Sequence, residues 1–356
     1  MSSDKHIVLI TPGFPDSESD TTCIPPLQIY ALELSKQLGI KLSIIALQYP
    51  NKKEAYDWNG IPVYPCFMGH SKWSYVFKWL KAKRILKALN RVHRISLVHA
   101  FWMNEAAFVS EKASSKMNIP FVITQMGQDI IKENRYLKML HLEKAGALIS
   151  VSEFQKMEFE KWNVNRVNAV IPWGIDSNSF ENNPSRRRDI DILGVGSLIP
   201  LKNYLAFVKA VVVLRKSYPN LKVYLVGDGP EKDLLEDYIN HNDLNNIVTL
   251  TGSLDRKDVI ELMSRSRVFY HPSNYESQGY VFYEALWSGM NVVCPEIGVA
   301  SPSLDGFYLS NDFGEQVELL KKQLSNDSYE RKEWIPTMQN TVVRYIQLYD
   351  RVIAGA

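Results

Sequence analysis

Two kinds of pattern alternate along this chain. Short runs of β-branched and other apolar residues are continuous rather than alternating, and longer stretches between them space their apolar residues three and four apart. The continuous runs predict strands buried on both faces, and the spaced stretches predict amphipathic helices covering them. The first half reads as strand 6–10, helix 26–38, strands 41–47 and 61–66, helix 71–90, strand 97–100, helix 105–116, strands 121–124 and 148–151, and helix 153–162. Residues 174–188 then carry few apolar positions, a proline and three consecutive arginines, which predicts an interdomain linker. The alternation restarts as strand 190–195, helix 204–217, strand 222–226, helix 231–241, strand 247–250, helix 258–264, strand 268–271, helix 281–288 and strand 291–295. A last helix, 338–353, has no strand after it. The expected fold class is α/β, with two doubly wound Rossmann-like domains, 1–175 and 186–335, facing across a cleft. The C-terminal helix, 338–356, is expected to pack back on the first. Ligands of such folds sit at the carboxyl ends of the strands.

Composition narrows the picture. The 356 residues suit two domains at about 150 residues each. Lys+Arg is 41 and Asp+Glu is 39, a formal charge of +2, which argues against nucleic-acid binding and against an acidic tail. Cys23, Cys66 and Cys294 lie far apart with no Cys-x-x-Cys, so neither a disulfide framework nor a structural zinc site is expected. No stretch reaches the roughly 20 apolar residues that span a bilayer. The first apolar run is also too short for a signal peptide. A cytoplasmic protein is expected.

The densest chemistry lies in residues 272–289, PSNYESQGYVFYEALWSG. A strand ends, a small polar turn follows, and a helix begins near Tyr280. Helix-start amides approached closely through Gly279 make an anion site. Glu276 lies in the turn, and Glu284 lies about 7 Å past Gly279 along the helix axis. An anionic group between two carboxylates suits a ligand with phosphate in the middle and hydroxyls at both ends. A nucleotide sugar has that shape.

This stretch resembles the retaining GT-B glycosyltransferases of family 4, also called glycosyl transferases group 1. Their hallmark is Glu, seven residues, Glu across a strand–loop–helix. Glu276 and Glu284 match it, Glu-Ala-Leu-x-x-Gly continues it, and Gln278-Gly279 stands for the usual Phe-Gly. The resemblance implies that Glu276 contacts hydroxyls of the donor sugar and Glu284 those of the ribose. The amides of Ser277, Gln278 and Gly279 would hold the sugar and distal phosphate, with Tyr280 at the helix start. Residues 195–203, VGSLIPLKN, resemble the family string Val-Gly-Arg-Leu-x-x-x-Lys-Gly. Lys202 falls on the lysine that neutralises the diphosphate, while Ser197 replaces an arginine. Gly227-Asp228-Gly229-Pro230 agrees with the register. Ser253 and Leu254, in Thr251-Gly252-Ser253-Leu254, fall where backbone lies against the nucleobase. Residues 171–176, IPWGID, resemble the family's Ile-Pro-Asn-Gly-Val-Asp and read as a hinge.

The first half resembles the family more weakly. Gly13, after the first strand, would let backbone approach a phosphate. His99 ends a strand, where a buried, hydrogen-bonded histidine is the competing reading. Met126-Gly127-Gln128-Asp129 takes the place of His-Gly-x-Asp, so Met126 replaces the histidine beside the sugar. His99, Met126 and Asp129 are the acceptor-side candidates.

The resemblance implies transfer of a sugar from a UDP or GDP sugar to a hydroxyl acceptor with retention of anomeric configuration. Glu276 and Lys202 are the catalytic candidates. No metal and no cofactor are expected, because Lys202 and helix amides would carry the counter-charge. The alternative is a non-catalytic nucleotide-sugar-binding protein, which the changes at Ser197 and Met126 favour. Asp189-Ile190-Asp191 precedes a strand, at the wrong sheet edge for a metal motif. Residues 193–196, LGVG, lack the third glycine of a dinucleotide fingerprint. Residues 72–94 interleave Lys72, Lys78, Lys81, Lys83, Arg84, Lys87, Arg91 and Arg94 with Trp73, Tyr75, Phe77, Trp79 and Leu80. Phe77, Leu80, Ile85 and Leu89 share a helical stripe. This is either the solvated basic face of a domain helix or a docking surface for anionic lipid beside a lipid-linked acceptor. The second reading puts the protein at the inner face of the membrane.

Overall fold

The computed structural model describes residues 4–69, 72–181, 188–326 and 329–355. Residues 182–187 of the predicted linker and the predicted helix start at Ser71 lie outside them. The chain forms two compact units, Met1–Trp173 with Thr337–Ala356, and Gly174–Pro336.

The first unit contains strands β1 (Lys5–Gly13), β2 (Ile40–Tyr49), β3 (Tyr56–Trp58), β4 (Ile61–Pro65), β5 (Ile95–Phe101), β6 (Phe121–Thr124), β7 (Ala147–Ser150) and β8 (Ala169–Val170). They form one sheet in the order β3-β4-β2-β1-β5-β6-β7-β8, parallel except for β3 against β4. Its helices are α1 (Pro25–Ser35), α2 (Lys72–Val92), α3 (Glu105–Met117) and α4 (Glu153–Glu160). Ile7 to Ile10 of β1 are fully buried, as a continuous apolar run in a central parallel strand requires. Asn104 and Ser152 cap α3 and α4 with their side chains, which fixes where those helices start.

The second unit opens on the short α5 (Asn178–Glu181). It continues through β9 (Ile190–Val195), α6 (Tyr204–Leu214), β10 (Val223–Val226), α7 (Lys232–His241), β11 (Val248–Gly252), α8 (Arg256–Arg265), β12 (Ser266–Tyr270), α9 (Tyr280–Trp287), β13 (Asn291–Cys294), β14 (Phe307–Leu309) and α10 (Phe313–Leu324). All six strands are parallel, in the order β11-β10-β9-β12-β13-β14. Counted within the unit this is 3-2-1-4-5-6, and the winding reverses between β9 and β12. The loops that leave those two strands are residues 196–203 and 271–279.

The final helix, α11 (Met338–Ala354), belongs to the first unit. Thr337 and Asn340 form a capping box at its start. Its Tyr349 hydroxyl meets Tyr30 and His99 Nδ1, each at 2.5 Å, and Tyr345 meets Thr124 at 3.1 Å. Gly146 lies beneath this helix, where a Cβ would run into Val352.

Two readings of α2 change. The buried stripe is Ser74, Lys78, Ala82 and Leu86, whereas Phe77 and Leu80 face outward. Lys78 is not part of a solvated basic face. It pairs with the fully buried Glu105 at 3.3 Å, and Glu105 also accepts from Trp79 Nε1 at 2.7 Å and Gln48 at 3.2 Å. The side chains of Lys72 and Trp73 lie outside the described part. The strands β3, β8 and β14 and the helices α5 and α10 were not expected from the sequence.

Candidate functional site

Backbone contacts fix the two loops at the winding reversal against each other. Asn274 N donates to Leu201 O at 2.9 Å, and Ser273 Oγ donates to the same carbonyl at 3.2 Å. This brings Lys202 Nζ onto Glu276, with which it forms an ion pair. His271, the residue after β12, donates from Nε2 to the same Glu276 oxygen at 2.6 Å. Burial pushes the Glu276 carboxyl up, but His271 and Lys202 outweigh it and hold the group down at about 2. Burial pushes the His271 imidazole down by more than the Glu276 carboxylate pulls it up, and the nearby Lys202 charge adds to the lowering. Glu276 is therefore a fixed carboxylate with the His271 imidazole behind it.

Gly279 precedes α9 in left-handed conformation, φ +71°, and as a glycine it has no side chain of its own with which to cap the helix start. Gly298, φ +61°, supports the turn from behind, where a Cβ would collide with the Gln278 carbonyl. Val299 N donates to that carbonyl at 2.8 Å. A Cβ at Gly279 would likewise run into the Phe282 ring, at 2.5 Å, so both left-handed positions call for glycine. Ser277 and Gln278 lie in this supported turn. Tyr280 sends its hydroxyl to Gly174 O at 3.2 Å.

Glu284 is buried on the second turn of α9 and pairs with Arg256 Nη1. Arg256 opens α8, just after the loop that carries Ser253, which is exposed, and Leu254, which is half-buried. The second unit therefore assembles Lys202, Glu276, Glu284, the Gly279 helix start and the Ser253–Leu254 loop at the carboxyl ends of its strands. Sequence reasoning missed His271, Gly298 and Arg256. Its predicted helix began at 258, two residues after Arg256.

The first-unit candidates fare differently. His99 is fully buried, with Nδ1 on Tyr349 and Nε2 on Thr124 at 2.8 Å, and burial pushes its pKa down to about 3. Both ring nitrogens are taken and the residue has no exposed surface, the arrangement of a core histidine. Asp129 accepts from the amides of Met103 at 2.7 Å, Gly127 at 2.7 Å and Met126 at 3.2 Å. Burial pushes its carboxyl up against the pull of these amides. It shapes the loop that carries the half-buried Met126. Gly13 is buried at the end of β1 under Cys23 and Tyr49, and it has no positive φ that would demand glycine.

Asp189 and Asp191 are held by arginines. Asp189 takes Arg265 through two bonds of 2.9 and 2.8 Å, and Asp191 lies 3.8 Å from Arg267.

Residues 28–179 match the family model described as Glycosyltransferase Family 4, and residues 176–304 match Glycosyl transferases group 1. Over 131 residues the chain is 30% identical to a phosphatidylinositol N-acetylglucosaminyltransferase subunit of Homo sapiens. That match covers 36% of this chain and 27% of the human protein, so the chain spans about a quarter of that relative's length. Over 318 residues it is 26% identical to TuaC of Bacillus subtilis (strain 168), a protein named for teichuronic acid biosynthesis, with 81% of this chain and 76% of that one covered. The fold is similar to that of sucrose-phosphate synthase from Thermosynechococcus elongatus, with TM-score 0.76, 16% identity, and 99% and 100% of the two chains covered. Two adjoining family models in chain order, over two Rossmann-like sheets, show that this chain belongs to the glycosyl transferases group 1, family 4, with the GT-B fold.

Proposed function

We propose that this chain moves a sugar from a nucleoside diphosphate sugar, UDP- or GDP-linked, to a hydroxyl acceptor with retention at the anomeric carbon. One observation carries the reading: Glu276 and Glu284 flank the start of α9, which Gly279 leads, each beside a cation. On this reading Glu284 accepts from the ribose hydroxyls and Glu276 from hydroxyls of the sugar. The helix-start amides and Lys202 receive the diphosphate. As the sugar–phosphate bond breaks, Lys202 and those amides stabilise the charge that develops on the leaving oxygen. That oxygen takes the proton of the incoming hydroxyl on the same face of the sugar, which gives retention. The counter-charge comes from the protein, so the step needs no metal ion.

The acceptor belongs to cell-surface polysaccharide or glycolipid synthesis and is carried on a lipid. The names of the human and Bacillus relatives support this. Among the described residues no helix is long and apolar enough to cross a membrane. Contact with lipid falls instead to the outward face of α2, at the cytoplasmic side. The Met126–Asp129 loop is proposed to face the acceptor.

The test is release of nucleoside diphosphate from candidate donors, with and without a cell lipid extract, followed by the anomeric configuration of the product. Acceptor-dependent release with a retained anomer supports the reading. Binding without turnover would instead favour a non-catalytic nucleotide-sugar-binding protein.

A further inference from the structure

Two carboxylates and one lysine make a poor seat for an anion. Burial pushes the His271 imidazole down, which makes it a weak source of counter-charge. Ser197, exposed on the loop after β9, adds no charge. With Lys202 alone the site would be net negative and would repel a diphosphate.

Arg256 restores the balance. It is the first residue of α8, and its Nη1 already donates to Glu284. Its Nε and Nη2 are buried and have no hydrogen-bond partner among the described residues. Those two N–H groups form one edge of the planar guanidinium, a fork that fits two oxygens of a phosphate. Buried donors left unpaired are costly, so the fork calls for an acceptor. Tyr280 and Asp176 also face Arg256. The Asp176 oxygens are already engaged by Asn178 N and Ser179 Oγ, and the Tyr280 hydroxyl by Gly174.

We propose that Arg256 is the second cation of the donor site. It neutralises Glu284 in the free protein, and it turns its Nε–Nη2 edge to the diphosphate oxygens when the ribose hydroxyls take that carboxylate. The proposal rests on the donor-site reading above. Lys202 makes the parallel exchange at Glu276, so each carboxylate has a cation in the free protein and a hydroxyl in the complex.

Calorimetric titration of the whole protein with UDP and GDP, and with the nucleosides uridine and guanosine, tests it. Arg256→Gln should weaken the diphosphates roughly ten- to hundredfold without weakening the nucleosides, whose ribose then meets no competing cation on Glu284. Adding Ser197→Arg should recover most of the loss. Arg256→Lys keeps the charge but loses the fork, so it should fall between. It carries the test if the glutamine variant does not fold. Equal losses for nucleosides and diphosphates would overturn the proposal. So would an Arg256→Gln variant that binds diphosphates like the parent while Glu284→Gln does not, and both results leave the donor site standing. If Glu284→Gln also binds like the parent, the donor-site reading falls and this proposal falls with it.

Discussion

Glu276 and Glu284 lie eight positions apart in sequence yet are assigned different work. On the proposed reading Glu284→Gln removes the acceptor for the ribose and should raise the donor Kd. On the same reading Glu276→Gln removes a contact to the reacting sugar and should chiefly lower kcat. Loss of a charge-assisted hydrogen bond at about 1.5–3 kcal/mol gives roughly tenfold or greater effects, read by titration and by initial rates. If both variants matched the parent in both measurements, the site assignment would be wrong. The Glu276 carboxyl also links folding to pH. It is held at about 2 in the folded protein, below the unfolded value of about 4.3. A carboxyl lowered on folding contributes stability that is complete above the unfolded value and is lost as pH falls through the window toward the folded one. Thermal melts should therefore drop across that window in the parent and drop less steeply in Glu276→Gln. An identical slope in the variant would place the titrating group elsewhere. The paired glutamates were legible because their spacing is local. Arg256 and His271 were not, because their meaning comes from contacts made through folding: Arg256 reaches a carboxylate 28 residues on. His99 shows the opposite limit, since a strand-end histidine reads alike whether it faces a ligand or a core.

At the scale of the element, α2 shows what a sequence pattern hides. Its basic and aromatic residues were visible, but their distribution was not, since Lys78 turned inward to meet Glu105. The outward face keeps Val76, Phe77 and Leu80 at one end and Arg84, Lys87 and Arg91 at the other, with Phe77 at 53% exposure. Lys81 reaches back to Lys53 O at 3.1 Å and is less suited to lipid. Near an anionic surface each basic residue adds about 1 kcal/mol. Reversing Arg84, Lys87 and Arg91 to glutamate should therefore abolish sedimentation with anionic vesicles, and raised salt should do the same. Parent protein that stays in the supernatant at low salt would end the membrane proposal without touching the family assignment. The elements missed from the sequence have their own reasons. Strands of two or three residues such as β8 and β14 have too few positions to show a period. By contrast, α10 had a legible cap, Asp312, and apolar spacing at Val317, Leu320 and Leu324.

At the scale of the whole molecule, the alternation of strands and helices made the α/β class readable. The winding order within each sheet depends on long-range pairing that no local pattern encodes. The first unit is also discontinuous in sequence. Without α11, Tyr30 and His99 lose the Tyr349 hydroxyl, and a buried aromatic surface meets water. Deleting 337–356 should lower the melting temperature of the first unit and open it to protease. Titration of the truncated chain should still detect nucleotide in the second unit. A truncated chain whose first unit melts and resists protease like the parent would show that α11 is dispensable.

That discontinuity also orders events during synthesis. The strands of the first unit emerge early, but the helix that covers Tyr30 and His99 follows the whole of the second unit. At typical elongation rates the wait is roughly 10–30 s. The first domain made is the last to be finished, and throughout that interval its uncovered aromatic face is open to chaperones or to neighbouring nascent chains. Any insertion within residues 174–336 would lengthen the wait, although it changes no residue of the domain left exposed.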